Sequence, residues 1–263
     1  MDDLRVHIKI NSEHLDAAGV SDTGLYRDEN QDTIHIDGEG RFALIADGMG
    51  GHDRGKEASR TIINILDDFF QPEKIASELK DITAVEGVPA EVNGLFALID
   101  RGIRKSNSLV YRKNIEEGIE RFMGATLVGL IFSSDYYVTW FHVGDSRLYR
   151  FRDNALTPLT VDHSAYMEWV NHGSIGEEPT KNIVTRAIGP REGVIPEIRW
   201  EKGNPGDIYM LCSDGLSDMV PDNEISNIIT SASSVNGIAV NLLNAALDAG
   251  GFDNISILVC KLI

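Results

Sequence analysis

Phe42-Ala43-Leu44-Ile45-Ala46-Asp47-Gly48-Met49-Gly50-Gly51 sets five apolar residues against an aspartate and a run dominated by glycine. The apolar run reads as a buried strand that delivers one carboxylate into a loop, and the glycines let that loop's backbone pass close to a ligand. Asp-Gly after a strand is also ordinary turn chemistry. The meaning of Asp47 therefore depends on the rest of the chain.

Upstream, Met1 to Ile10 alternates apolar and polar residues as a short strand, and Ala17-Ala18-Gly19-Val20 leads into the polar loop Gly24 to Asp32. Thr33-Ile34-His35-Ile36 alternates again, and Asp37-Gly38-Glu39-Gly40 turns it into the opening stretch, so the two form a hairpin. Downstream the period changes. Ala58, Ile62, Ile63, Leu66, Phe69 and Phe70 mark one face of a helix, Pro72 opens a second short helix, and Val92, Leu95, Phe96, Ile99, Ile103 and Val110 mark a third.

Met123 to Arg152 is rich in strands: Ala125–Phe132, Tyr136–Val143 and Leu148–Phe151, joined by short turns and expected to pair antiparallel. Residues 160–186 read as a short helix, Tyr166–His172, in a polar and mobile surface insertion. Gly206–Cys212 is a further strand, helices follow around 225–229 and 238–247, and Asn254–Leu262 is the last strand. Strands in clusters with helices between them give an α+β layered fold, with residues 1–263 expected to form one domain.

The composition narrows the partners. The chain has 263 residues, 42% of them hydrophobic, which is enough for a packed core. Its net charge of -17 argues against nucleic acid and anionic membrane, both of which call for a surplus of Lys and Arg. No run reaches membrane-spanning length, and the first residues lack the apolar stretch of a signal peptide. Cys212 and Cys260 sit in apolar strands as reduced, buried thiols, which favours the cytoplasm, and a monomer is expected. Asn254-Ile255-Ser256 matches a glycosylation sequon but opens an apolar run, and is discounted.

Five aspartates share one position type, the end of an apolar strand: Asp32 and Asp253 before a strand, Asp47, Asp145 and Asp214 after one. Where neighbouring strands run antiparallel, the start of one lies beside the end of the next, so the five are expected at one rim. Carboxylates packed together raise one another's pKa, and divalent cations relieve the conflict. With only hard oxygen ligands the metal should be Mn²⁺ or Mg²⁺. Two such ions, about 3.5–4 Å apart, would share a water and aim it at phosphorus. Arg27, five residues before Asp32, offers a planar fork for a phosphate dianion.

Other hydrolytic sites fit poorly. Gly50-Gly51-His52-Asp53-Arg54-Gly55-Lys56-Glu57 nearly matches a nucleotide phosphate loop, but Glu57 replaces the hydroxyl that should bind Mg²⁺. Neither a Gly-x-Ser-x-Gly elbow nor a His-Glu-x-x-His helix occurs, and Ser146 and Ser213 have no evident base in sequence.

The ordered set Gly24-x-x-Arg27-x-x-Asn30-Gln31-Asp32, Asp47-Gly48-Met49-Gly50-Gly51, Gly144-Asp145-Ser146-Arg147, Ser213-Asp214-Gly215-Leu216 and Gly251-Phe252-Asp253-Asn254 resembles the successive motifs of the metal-dependent protein phosphatases of type 2C. The resemblance spans residues 16–262, and the Asp47-Gly48-Met49-Gly50-Gly51 form is the bacterial one. It implies an αββα sandwich of two antiparallel sheets flanked by helices, with the metals at one edge. By resemblance, Asp47 bridges two Mn²⁺ or Mg²⁺ ions, the Gly48 carbonyl binds the first, and Asp214 and Asp253 bind the second. Asp32 is implied as a ligand through water, Asp145 with Asp214 as a third-ion site, Arg27 as the phosphate-binding residue, and 160–186 as a flap.

A serine/threonine protein phosphatase acting on proteins phosphorylated by a bacterial kinase is therefore expected. The alternative on the same scaffold is a weak or non-catalytic module that binds phosphoproteins. Eukaryotic relatives place a histidine after the Asp-Gly pair, where this chain has Met49. His52 is read as a surface residue, which leaves the general acid unassigned.

Overall fold

Alternate residues of the Phe42–Ala46 strand face two different cores, and this arrangement sets the architecture. The computed structural model describes residues 5–11, 15–51, 53–80, 82, 85–180 and 182–263. In chain order the elements are β1 (Arg5–Asn11), β2 (Leu15–Asp22), β3 (Thr33–Ile36), β4 (Phe42–Ala46), β5 (Gly48–Met49), α1 (Arg54–Phe69), α2 (Pro72–Leu79) and α3 (Ala90–Glu116). They continue with β6 (Gly124–Ala125), β7 (Leu127–Phe132), β8 (Tyr137–Val143), β9 (Arg147–Arg152), β10 (Ala155–Pro158), α4 (Ala165–Asn171) and β11 (Glu197–Lys202). The last are β12 (Ile208–Cys212), α5 (Asp214–Ser217), α6 (Asp222–Ser231), α7 (Val235–Asp248) and β13 (Ile255–Leu262).

Two antiparallel sheets carry the fold, one in the order β1-β2-β13-β12-β9-β10 and one in the order β11-β8-β7-β4-β3. On β4, Phe42, Leu44 and Ala46 pack with Ile62 and Leu66 of α1 and Leu95 and Ile99 of α3. Ala43 and Ile45, on the opposite face, pack with Leu211 and Leu258 of the other sheet. Side chains on a strand alternate between faces, so a run with no polar residue is what a strand buried on both sides requires. The six-stranded sheet repeats the pattern: Met210, Ile257 and Val259 face α6 and α7, while Tyr209, Leu211 and Leu258 face the inter-sheet core. The resulting layers, helices on sheet on sheet on helices, are the α+β αββα sandwich expected from the sequence.

One expectation is corrected. β7 and β8 pair as read, but the next strand, β9, does not continue their sheet; it pairs with β12 and β10. The chain crosses between sheets at 144–146, where Gly144 takes φ +112 and its Cβ position would lie 2.6 Å from Thr126 Cβ. Asp145 sits at that crossing. The two thiols are free and buried, and burial pushes both up to about 12, as read from sequence. Asn254 and Ser256 are also buried, so the sequon is closed to modification in the folded chain. Among the described residues, no helix is long and apolar enough to cross a membrane.

Candidate metal centre

The five aspartates meet at one end of the sandwich, and both sheets contribute. Antiparallel pairing sets Thr33 opposite Ala46, so Asp32 enters β3 beside the point where Asp47 leaves β4. In the other sheet Cys212 pairs with Ile257, which brings Asp214, just past β12, close to Asp253, just before β13. Asp145 joins them from the crossing. A cleft of about 910 Å³ is lined by Arg27, Asp47, Gly48, Asp145, Asp214 and Asp253, together with Gln31, Arg121 and Thr126. Asp32 lies behind this lining, buried, and its charge acts on Asp47.

The electrostatics are those of carboxylates crowded in a poorly solvated rim. Burial pushes Asp47 well above the ordinary carboxylate range, and repulsion from Asp32, Asp214 and Asp145 adds to it. Asp214 is raised in the same way, by burial first and then by Asp145 and Asp253. Burial lifts Asp32 and Asp145 to about 6 each, although hydroxyl hydrogen bonds from Ser256 and Ser213 hold Asp32 partly down. Oδ1 of Asp32, Asp145 and Asp214 is buried in each case and accepts no hydrogen bond from the described residues. Buried oxygens of this kind, left without donors, fit hard divalent cations, which satisfy them and remove the repulsion together.

Backbone packing explains the glycines. A Cβ on Gly48 would stand 2.1 Å from the Gly55 carbonyl oxygen and 2.6 Å from that of Gln31. Gly48 therefore admits no side chain, and its strand β5 stays pressed between the polar loop and the start of α1. Gly24, at φ +77, is confined in the same way, its Cβ position 2.1 Å from the Asp253 carbonyl oxygen.

Arg27 stands at the mouth, with its side chain 56% exposed and Nη2 donating to Asp253 Oδ2 at 2.6 Å. The sequence-predicted residues Arg27, Asp32, Asp47, Gly48, Asp145, Asp214 and Asp253 are thus gathered at one place. Met49 lines the cleft as well, while His52 lies outside the described residues.

Three residues that sequence reading left without a role hold the rim together. Asn254 Nδ2 donates to the carbonyls of Thr23 and Glu29, both at 2.9 Å, and its Oδ1 accepts from Gln31 N at 2.8 Å. Ser213 Oγ donates to Asp32 Oδ2 at 2.8 Å and accepts from Ser256 N at 3.0 Å, which makes it a support rather than a nucleophile. Thr126 Oγ1 accepts from Asp47 N at 3.3 Å and shares a 2.7 Å hydrogen bond with Ser146. In the sequence Asn254 and Ser213 each lie beside one of the aspartates, and that adjacency is the signal they offer.

A separate group, His142, His163 and Glu197, also has ligand-type atoms within 4.8 Å of one another. There, however, the Arg186 guanidinium lies 3.0 Å from His163 Nε2 and Gly144 N–H donates to Nδ1 at 3.1 Å. A positive charge already fills that position. The group ties the base of the 160–186 segment to the crossing at Gly144, and the carboxylate rim remains the candidate centre.

Residues 27–247 match the family described as protein phosphatase 2C. The serine/threonine protein phosphatase PstP of Mycobacterium tuberculosis is 32% identical over 94% of this chain, which spans 45% of that protein's length. A putative protein phosphatase 2C-type protein of Streptococcus pyogenes is 33% identical, over 90% of this chain and 93% of its own. Among solved structures, the catalytic domain of PstP in complex with two manganese ions superposes with a TM-score of 0.78 at 32% identity, covering 95% of this chain and 99% of that one.

Proposed function

The chain belongs to the protein phosphatase 2C family, and from that membership we propose that it is a metal-dependent protein serine/threonine phosphatase. The observation that carries the reading is the convergence of Asp47, Asp145, Asp214 and Asp253 in one cleft, where burial and mutual repulsion raise Asp47 and Asp214, burial raises Asp145, and Oδ1 of Asp145 and Asp214 is left without a donor among the described residues. Asp47 with the Gly48 carbonyl, Asp214 and Asp253 would hold two Mn²⁺ or Mg²⁺ ions, Asp145 with Asp214 a third, and Asp32 would support them from behind. Such ions, when bound, neutralise the carboxylates and supply Lewis acidity to a phosphoryl oxygen and to the attacking water.

The chain's own residues do the rest. Arg27 spends one N–H on Asp253 and, standing half exposed, offers its other donors to the phosphate dianion, which fixes the substrate over the carboxylates. Asp253 in turn holds Arg27 at the mouth. Met49 carries no proton for the leaving alkoxide, and no histidine is found among the described residues lining the cleft. The open cleft lets solvent deliver that proton.

The same reading makes the substrates targets of a serine/threonine kinase and places the protein in the cytoplasm as a monomer. It also takes residues 1–263 as one catalytic domain, with 160–186 as a flap; Asn182 and Val184 of that segment line the cleft. The net charge of -17 supports protein rather than nucleic acid as the partner class. With Mn²⁺ present, purified protein should hydrolyse p-nitrophenyl phosphate and a phosphothreonine peptide, and EDTA should abolish both. Asp47→Asn should lower the rate at least about 10²-fold. Activity in Asp47→Asn equal to the parent would overturn the assignment.

A further inference from the structure

Beside the Arg27–Asp253 ion pair, three large apolar side chains stand out in solvent: Leu25, Tyr26 and Phe252 are 67%, 68% and 52% exposed. A single exposed apolar residue calls for no explanation. These three form a group. The Tyr26 and Phe252 ring centroids are 4.8 Å apart at 38°, and Leu25 Cγ lies 3.1 Å from the Cβ position of Gly251. Tyr26 also lines the cleft that holds Asp47.

The group is held in place by its backbone. Leu25 N donates to the Gly251 carbonyl at 2.8 Å, Gly24 abuts the Asp253 carbonyl, and Asn254 hydrogen-bonds the carbonyls of Thr23 and Glu29 on either side. Two loops distant in sequence are thereby fastened into one ledge, which lowers the cost of ordering their backbone when a ligand arrives.

We propose that this ledge selects substrates by an apolar side chain next to the phosphorylated residue, a reading that rests on the phosphatase assignment above. Tyr26 precedes Arg27 and Phe252 precedes Asp253, so the ledge begins one residue away from the group that receives the phosphate. Adjacent residues of a peptide are about 3.8 Å apart, so a chain whose phosphate reaches Arg27 lays its neighbouring side chains across the rings. Tyrosine and phenylalanine supply large contact areas at little conformational cost. Asp28, Glu29 and Asp53 outnumber Arg121 along the same cleft and disfavour an acidic neighbour.

The test uses fluorescent peptides that carry a phosphonate analogue of phosphothreonine flanked by Leu or Phe, by Ser, or by Asp. Dissociation constants are measured by anisotropy with Mn²⁺, and p-nitrophenyl phosphate hydrolysis is followed in parallel. The parent protein should bind the Leu or Phe peptides about tenfold more tightly than the Ser peptide. In a Tyr26→Ser, Phe252→Ser double variant the preference should fall to within about twofold, with the melting temperature and the affinity for the Ser peptide unchanged, and Phe252→Tyr should retain it. Equal binding of all peptides by the parent, or a preference that survives the double substitution, would overturn the ledge. So would a matching loss of Ser-peptide affinity in the double variant, since that marks a structural role. If selective binding appears while p-nitrophenyl phosphate is untouched by the parent, the ledge stands as a binding surface and the phosphatase reading fails.

Discussion

At the scale of single residues, the centre is a set of carboxylates close to each other, with Asp32 and Asp145 buried and Asp47, Asp214 and Asp253 half-buried at the cleft. Asp145 shows what this does to stability. Its carboxyl is raised from an ordinary 3.8 to about 6, chiefly by burial. The folded chain therefore holds that proton more tightly than the unfolded chain, and the stability this provides is complete below about pH 4 and lost as pH rises through 6. In the presence of a chelator, Asp145→Asn should raise stability by roughly 1–3 kcal/mol at pH 7.5 and have little effect at pH 4. Urea unfolding at the two pH values checks this, and an equal effect at both would contradict it. The aspartates were legible in the sequence because each follows or precedes an apolar strand. The hydroxyls and amide that position them were not, since Ser213, Thr126 and Asn254 gain meaning only from partners up to 231 residues away.

At the scale of elements, strands and helices with strong apolar periodicity were readable, and those dictated by packing were not. α1, α3, β4, β12 and β13 lie where the sequence pattern puts them. β2 carries little strand signal in the sequence because Ala17, Ala18 and Gly19 are weak strand formers. Its smallness has a tertiary cause: a Cβ on Gly19 would stand 2.3 Å from Leu258 Cδ2 of the paired strand β13. β10, four residues ending in Pro158, is an edge strand with little apolar signal, and β11 is an edge strand whose alternation rests on only two apolar residues, Ile198 and Trp200.

The loops that carry Arg27 and Asp253 depend on Asn254. Asn254→Ala leaves two carbonyls and one N–H of the 23–31 loop without their partner, and each buried orphan costs about 1–3 kcal/mol. The variant should lose roughly 2–4 kcal/mol in urea unfolding and bind phosphonate peptides more weakly. A loss under about 0.5 kcal/mol, the level of an ordinary surface substitution, would refute this role.

At the scale of the whole molecule, the two sheets meet across an apolar core built from Ile45, Leu211, Leu258 and their neighbours. At the metal end they meet across carboxylates instead. Asp32 and Asp47 come from one sheet, Asp214 and Asp253 from the other, and Asp145 from the chain that passes between them. The sandwich is thus held along its length by apolar packing and faced on both sides with carboxylates at one mouth. Divalent cations at that mouth would act as a clasp between layers, and a ligand at a hundred times its dissociation constant contributes about 2.7 kcal/mol to the folded state. Without it, the layers should part from this end. Amide hydrogen exchange in EDTA should quicken at 44–47, 143–146, 212–215 and 253–256 while the far strand ends stay protected, and Mn²⁺ should reverse it. Uniform exchange along the strands in both conditions would show that the rim plays no part in holding the sheets together. A chain built this way would carry its cofactor as a fastener, and its unfolding would begin where its chemistry is done.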